Sequence, residues 1–303
     1  MQNICPLCQV PGKVVRTLEA PFLRQRLQEY YGSPLPREIK LPDYLIRCCP
    51  DCNLEFADPL IPGNKSFYQW LGNHPGYYAK DRWEWHVVLA KLEEIAVSRL
   101  NVLELGFGPG NFYKMAASLP YLHLTRAEAY PPFYGEALGY LVDKNKKFDA
   151  IATFHYLEHV PDRVKMMKEL CGLLKRQGIL FFSLPFSPTS VEYSFFDPSN
   201  YPPHHLTRWN PRSLANLARI CQMTIKLTLP KARHPLVRTA TVVNLIAQDH
   251  SFTSRPIGET FWNCGTRPII TLKELLKQLR RDKINGKTAA DVVLCHCCPV
   301  EVV

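Results

Sequence analysis

The stretch VLELGFGPGN, residues 102–111, decides how this chain reads. An apolar run, Val102-Leu103-Glu104-Leu105, stops at a turn with glycines at 106, 108 and 110. Glycine has no Cβ and adopts positive φ readily, so such a turn lets the backbone approach a ligand closely. Three ligand classes compete for a strand, a glycine turn and a helix in that order. A P-loop needs Lys and Ser/Thr after its last glycine to hold phosphates and magnesium. Here Asn111 and Phe112 follow Gly110, which excludes that class. A dinucleotide turn has G-x-G-x-x-G. The spacing here is G-x-G-x-G, with Asn111 at the third glycine's place, which disfavours a pyrophosphate. A nucleoside without phosphates is the class that remains.

Working outward, HVVLAKLEEIAVSRL places Val88, Leu89, Leu92 and Ile95 on one side of a helix before the strand NVLELG. After the turn, KMAASL reads as a helix and YLHLTRAEA as a second strand. KKFDAIATF is a further strand ending in HYLEHVPD. A helix is predicted over DRVKMMKELCGLLKRQ, stopped by Gly178, and ILFFSLP is the next strand. WNPRSLANLARI starts a helix with Asn210 as cap and Pro211 at its first position. QMTIKLTL is a strand, and TLKELLKQLRR opens with a capping box of Thr271 and Glu274. Strands alternating with helices of this length predict an α/β fold, a Rossmann-like doubly wound and mostly parallel sheet.

These segments carry a resemblance. VLELGFGPG resembles the first motif of class I S-adenosylmethionine-dependent methyltransferases. FDAIATFHYLEHVPD resembles that family's fourth-strand segment, and LLKRQGILFFSLP its turn into the fifth strand. The resemblance implies that Gly106, Phe107, Gly108 and Gly110 form the cofactor loop. It implies that Glu104 faces the cofactor's amino end and that Glu128, 22 residues after Gly106, accepts from the ribose hydroxyls. His155, where the fourth strand ends, falls where the methyl group lies, and Tyr78 with Tyr77 can close over the sulfonium. One departure is plain: only 19 residues separate Glu128 from Phe148, so either the family's third helix–strand layer is much reduced or the adenine is held differently.

Cys5-Pro-Leu-Cys8 and Cys49-Pro-Asp-Cys52 are two knuckles of one form. Zinc takes four thiolates tetrahedrally, and a two-residue gap lets both cysteines of a knuckle reach one ion. The expectation is a structural Zn2+ in a small zinc-ribbon-like module, with Cys48 able to stand in for Cys49. The cluster CHCC at 295–298 has poor spacing for a single ion. A zinc module before this core resembles sugar and glycan methyltransferases on one side and a ribosomal-RNA methyltransferase group on the other. The segments RCCPDCNLEFADPLIP and YYAKDRWEW are more similar to the first.

The boundaries expected are a zinc-binding module over 1–60, an aromatic connector over 61–85, the methyltransferase domain over 86–230 and a basic extension over 231–303. Residues 1–60 have little helical or strand periodicity and read as loop-rich with little core. No run of 18 apolar residues is present and the N-terminus lacks a signal-peptide pattern, so a cytoplasmic protein with reduced cysteines is expected. The net charge is +10, and residues 204–303 hold 15 Lys/Arg against 6 Asp/Glu. That end could meet an anionic partner: a phosphorylated acceptor, or a membrane surface through KELLKQLRRDK.

A hydroxyl acceptor needs its proton taken, and histidine suits that task. His204 and His205, in YPPHHLTRW after the fifth strand, are the favoured bases, with His159 as a further candidate. The leading expectation is methyl transfer to a sugar, glycan or other small metabolite. RNA methylation and a catalytically inactive binding module are the alternatives. No recognisable RNA-binding motif supports nucleic acid as the partner.

Overall fold

The computed structural model describes residues 3–128, 136–189, 192, 196–230, 235–247, 264–285 and 291–300. The N-terminal part is β1 (Lys13–Leu18), α1 (Ala20–Tyr31), β2 (Tyr44–Cys48), β3 (Glu55–Asp58) and α2 (Lys65–Gly72). The central part is α3 (Trp83–Ile95), β4 (Leu100–Leu105), α4 (Asn111–Ala116), β5 (Leu122–Glu128), β6 (Glu136–Ala137), α5 (Leu138–Asp143), β7 (Phe148–Phe154), α6 (Arg163–Leu173) and β8 (Leu174–Pro185). The chain ends through β9 (Thr207–Arg208), α7 (Pro211–Ile220), β10 (Met223–Thr228), α8 (Pro235–Ala247), α9 (Pro268–Asn285) and β11 (Val292–Pro299). Among the described residues no helix is long and apolar enough to cross a membrane.

The main sheet has seven strands in the order β10-β11-β8-β7-β4-β5-β6. β4 pairs in parallel with both β5 and β7, so the chain first winds outward through β5 and β6, then returns to the other side of β4. The crevice between β4 and β7 is therefore the switch point, where open α/β sheets bind ligands at their carboxyl ends. β4 and β7 are apolar on both faces because helices cover both, which is why they read as continuous runs. β11 returns antiparallel between β8 and β10. Cys295 and Cys297 point into the core from it and Cys298 outward, so CHCC is strand alternation. Among the described residues β6 spans two positions, pairing Glu136 with Ala127 and Ala137 with Glu128; residues 129–135 of the short segment lie outside the described residues.

Several helix boundaries differ from expectation, α3 and α4 each starting three residues earlier than expected, and two of the differences have a visible cause. α6 ends at Leu173, not at Gly178, because Leu174 already pairs with Phe148 and starts β8. α9 starts at Pro268, so Thr271 lies inside it; its hydroxyl donates to the carbonyls of Cys264 and Arg267 instead of capping. Residues 1–60 are also more ordered than they read. α1 buries Leu23, Leu27, Tyr30 and Tyr31, and β1-β2-β3 form a sheet whose fourth strand is β9. Leu18, Tyr44, Ile46 and Ala57 pack there with Tyr201 and Leu206, which bonds the N-terminal sheet to the loop after β8.

α7 begins as predicted. The Asn210 side chain accepts from the backbone N–H groups of Arg212 and Ser213, and Ser213 Oγ accepts from Asn210 N. Asn210 Nδ2 also donates to the Asn53 carbonyl at 2.6 Å, tying the helix to a cysteine knuckle. Asn210→Ala removes both, and a loss of about 1–2 kcal/mol is expected, read as a lower urea midpoint at unchanged slope.

Candidate active site and cysteine cluster

β4 delivers the chain to the crevice and the glycines turn it. Gly106, Gly108 and Gly110 have φ of +73°, +48° and +74°. Their surface is bare backbone with aromatic rings against it. A Cβ on Gly106 would lie 2.3 Å from Tyr156 Cδ2, and one on Gly108 would lie 3.0 Å from Tyr78 Cε1. Gly110 instead occupies the N-cap of α4 and lines neither cavity described below.

Two acids flank the loop. Glu104, on β4, is buried and its Oε2 has no hydrogen-bond partner. Burial pushes its carboxyl up to about 8, Arg126 opposing and Glu128 adding to the rise. Glu128 closes β5, and its Oε1 accepts from the Tyr156 hydroxyl at 2.9 Å. Phe107 is buried under the Arg126 guanidinium, 5.0 Å from its ring centre.

The other wall begins at the end of β7, where His155 takes φ of +50°, a conformation a non-glycine residue adopts only when its surroundings impose it. Its Nε2 lies 3.0 Å from Glu84 Oε1 and 2.8 Å from Arg82 Nη1, and its Nδ1 lies 3.6 Å from Glu158 Oε1. Burial resists ionisation of Glu84, but the hydrogen bond and charge of His155, with Arg82 behind, hold its carboxyl below the usual range. Burial likewise lowers the Arg82 guanidinium, which its two neighbouring glutamates support.

His159, His204 and His205 come together from two loops. Their ring centres are 4.4–4.7 Å apart. Each Nδ1 is spoken for: His159 to the His204 carbonyl at 2.6 Å, His204 to the Ser199 carbonyl at 2.7 Å, and His205 to Asn200 Oδ1 at 2.8 Å. All three acceptors are oxygens, so each Nδ1 carries the proton and each Nε2 keeps its lone pair. His204 Nε2 accepts from the Tyr77 hydroxyl at 2.9 Å. Burial pushes His204 down to about 3, with the charge of His159 adding, and lowers His159 and His205 in the same direction. All three are neutral at physiological pH.

Two cavities meet at this point. One, of 380 Å³, runs from Glu104, Arg82 and Gly106 to His204 and His205. The other, of 410 Å³, runs from Glu128 and Tyr156 to Lys65 and Tyr68. Tyr77, Tyr78, Gly106, Gly108, His155 and His159 belong to both, so apart from Gly110 the catalytic and cofactor residues expected from sequence line these two adjoining cavities. Arg82, Glu84, Tyr156 and Glu158 escaped the sequence reading. Glu158 was in view within LEHVPD, but nothing local showed that its side chain turns inward.

The cysteines form a second centre. One sulfur from each of Cys5, Cys8, Cys49 and Cys52 lies within 4.8 Å of all the others. Both knuckles fold alike: Cys5 N donates to Val10 O and Gln9 N to Cys5 O, as Cys49 N does to Leu54 O and Asn53 N to Cys49 O. Gln9 and Asn53, each just after the second cysteine, take positive φ of 59° and 57°. Cys48 lies outside the cluster and its sulfur contacts the Cys49 carbonyl, which decides between the two. Backbone N–H groups of Leu7 and Cys8 point at Cys5 Sγ, and Asn216 Nδ2 donates to Cys8 Sγ at 3.1 Å. Arg163 is buried beside Cys5 with Nε and Nη1 unpaired, a positive charge matched to a thiolate cluster. The donor set fits zinc.

Residues 78–223 match the family model for a methyltransferase domain. No curated protein matches the sequence. Among solved structures, phosphoethanolamine N-methyltransferase 2 of Haemonchus contortus is similar at 12% identity over 77% of this chain and 56% of its own, with a TM-score of 0.44. A SAM-dependent methyltransferase of Archaeoglobus fulgidus is similar at 13% identity over 70% of this chain and 93% of its own, with a TM-score of 0.43. The motif order, the turn geometry and the match over 78–223 agree, and those residues are a class I S-adenosylmethionine-dependent methyltransferase domain.

Proposed function

We propose that this enzyme methylates a hydroxyl of a sugar, glycan or other small metabolite, and that its four clustered cysteines hold a structural zinc ion. The supporting observation is the pair of adjoining cavities lined by the glycine loop and by the three neutral imidazoles. S-adenosylmethionine, when bound, supplies an electrophilic methyl group on a sulfonium. Gly106 and Gly108 offer backbone to its methionine and ribose parts, Glu128 accepts from ribose hydroxyls, and Glu104 takes the ammonium. Arg82 suits the cofactor's carboxylate. Tyr78 and Tyr77 wall off the sulfonium from water, and the imidazoles receive the acceptor hydroxyl. Tyr77 already engages His204 Nε2, which leaves the Nε2 lone pairs of His159 and His205 to take the hydroxyl proton.

Catalysis here is mostly alignment, since an in-line transfer between held groups gains chiefly from lost freedom already spent on binding. The basic C-terminal segment is consistent with an acceptor that carries phosphates. The test is calorimetric titration with S-adenosylmethionine, NAD as control, followed by methyl transfer to a panel of nucleotide sugars. Micromolar binding of S-adenosylmethionine alone and turnover on a sugar are expected. Binding without turnover on any hydroxyl acceptor would remove the acceptor assignment.

Glu104 adds a pH dependence to that titration. Its folded value is raised, so the protonated carboxyl's contribution to stability is full below the ordinary glutamate value and lost as pH rises toward about 8. A cationic ligand requires the ionised form. Cofactor affinity is therefore expected to rise with pH up to about 8, and binding at neutral pH to release a proton. Glu104→Gln abolishes that proton release. Equal release by the variant would assign the titration to another group.

A further inference from the structure

We propose that His159, His204 and His205 form a second metal site, for a zinc-like divalent cation, with Glu158 as the carboxylate that balances its charge. Three observations converge. First, one ring nitrogen from each histidine lies within 4.8 Å of the other two. Tetrahedral zinc with nitrogens at about 2.1 Å sets its ligands about 3.4 Å apart, so the rings, of which His204 and His205 now stack at 20°, must turn toward one point to close the site. Second, every Nδ1 is fixed by an oxygen acceptor, two of them backbone carbonyls. Histidine ligands are oriented in that way in metal sites, the outer nitrogen donating so that the inner lone pair points at the ion.

Third, Glu158 is fully buried, yet neither of its carboxylate oxygens has a hydrogen-bond partner. Its Oε1 lies 3.9 Å from His205 Nε2. A buried carboxylate without a hydrogen bond is costly, and a cation beside it removes that cost. His155 Nδ1 at 3.6 Å is beyond hydrogen-bond reach, and the Arg82 guanidinium acts on Glu158 only from farther off. Imidazole donors suit zinc and its neighbours rather than magnesium or calcium, which prefer oxygen.

Three protein nitrogens leave a fourth position open, as in catalytic rather than structural zinc sites. The acceptor's oxygen would fill it; with the imidazole lone pairs then on the ion, Glu158 in place of a histidine would take the hydroxyl proton, whose pKa the cation lowers. The Tyr77 hydroxyl, now on His204 Nε2, marks the direction from which a ligand enters. The site itself is independent of the acceptor reading; only its role in activating a hydroxyl rests on it.

The experiment is metal counting on the full chain after zinc loading and dialysis, with cobalt substitution to separate the two centres. Thiolate–cobalt charge transfer reports the cysteine cluster and weak visible bands alone report the histidine site. One ion for each cluster is expected in the unaltered chain. His159→Ala and His205→Ala each lose the histidine-site ion and keep the thiolate band, which shows the variant is folded. Glu158→Gln weakens that ion by about 10–100-fold. If the unaltered chain takes up only the cysteine-bound ion, or if both histidine variants retain the other ion, the proposal is overturned. S-adenosylmethionine titration of the same samples keeps the two readings apart. Cofactor binding and turnover without the second ion would sink the metal site alone, whereas the second ion without hydroxyl methylation would sink its activating role.

Discussion

Cys49→Ser is expected to release the proposed zinc ion and unfold the N-terminal sheet, while Cys48→Ser is expected to do neither. The two residues are adjacent in RCCPDC and chemically identical, so the contrast isolates geometry. Cys49 is buried among the other three sulfurs; Cys48 ends β2 with its sulfur outside the cluster. A structural zinc contributes roughly 10–16 kcal/mol of apparent binding free energy, which is folding free energy where no site exists in the unfolded chain. Whole domains hold only about 5–15 kcal/mol, so loss of the ion exceeds what this sheet can absorb. Removing a ligand also strands Arg163, whose unpaired nitrogens then lie buried with no thiolate cluster to face.

The damage is expected to spread. β3 pairs with β9 at Phe56 and Thr207, and Arg208 binds Glu55 at 2.7 Å and also Glu192. His204 and His205 stand immediately before that strand. Cys49→Ser should thus abolish methyl transfer as well as metal binding, with limited proteolysis cutting within residues 13–58. A Cys49→Ser chain that keeps its zinc and resists the protease would overturn the assignment. A Cys48→Ser chain that loses zinc would show that the wrong neighbour had been chosen.

What the sequence disclosed was local, and what it hid was assembled from afar. The glycine turn, the knuckles and the Asn210 cap are each short patterns whose conformation is set within a few residues. Glu104 and Glu128 were legible because strand ends bring them to the loop in register. The convergence of His159 with His204 and His205 spans 45 residues and depends on the Leu206 N–H bonding the Glu158 carbonyl, which no periodicity encodes. Arg82 and Glu84 looked like part of an aromatic connector, yet α3 begins at Trp83 and carries Glu84 inward. The error over α6 has a tertiary cause: Leu174 is needed opposite Phe148, so the helix gives way four residues before its glycine. The N-terminal core was missed because two of its seven buried residues, Tyr201 and Leu206, come from more than 140 positions further along the chain.

Gly106→Ala is expected to weaken S-adenosylmethionine by at least about 100-fold, some 2.7 kcal/mol, without unfolding the chain. Two costs act together. The backbone at φ +73° is strained for any residue with a Cβ, and the added carbon would stand 2.3 Å from Tyr156 Cδ2. Either the loop retreats or the ring swings away. A retreating loop withdraws the backbone proposed to meet the cofactor, and a displaced Tyr156 gives up its hydrogen bond to Glu128, the residue proposed to hold the ribose. Gly139→Ala is the control: a Cβ there meets nothing within 4 Å, so affinity should not change. Gly106→Ala combined with Tyr156→Ala separates the costs, because it removes the clash but keeps the strain and the lost contact to Glu128. Since the two residues touch, their effects should not add. The double variant should bind the cofactor about as weakly as Gly106→Ala alone. Affinity equal to the unaltered chain in Gly106→Ala, measured by calorimetry on protein with an unchanged melting temperature, would mean that the cofactor does not lie on this loop.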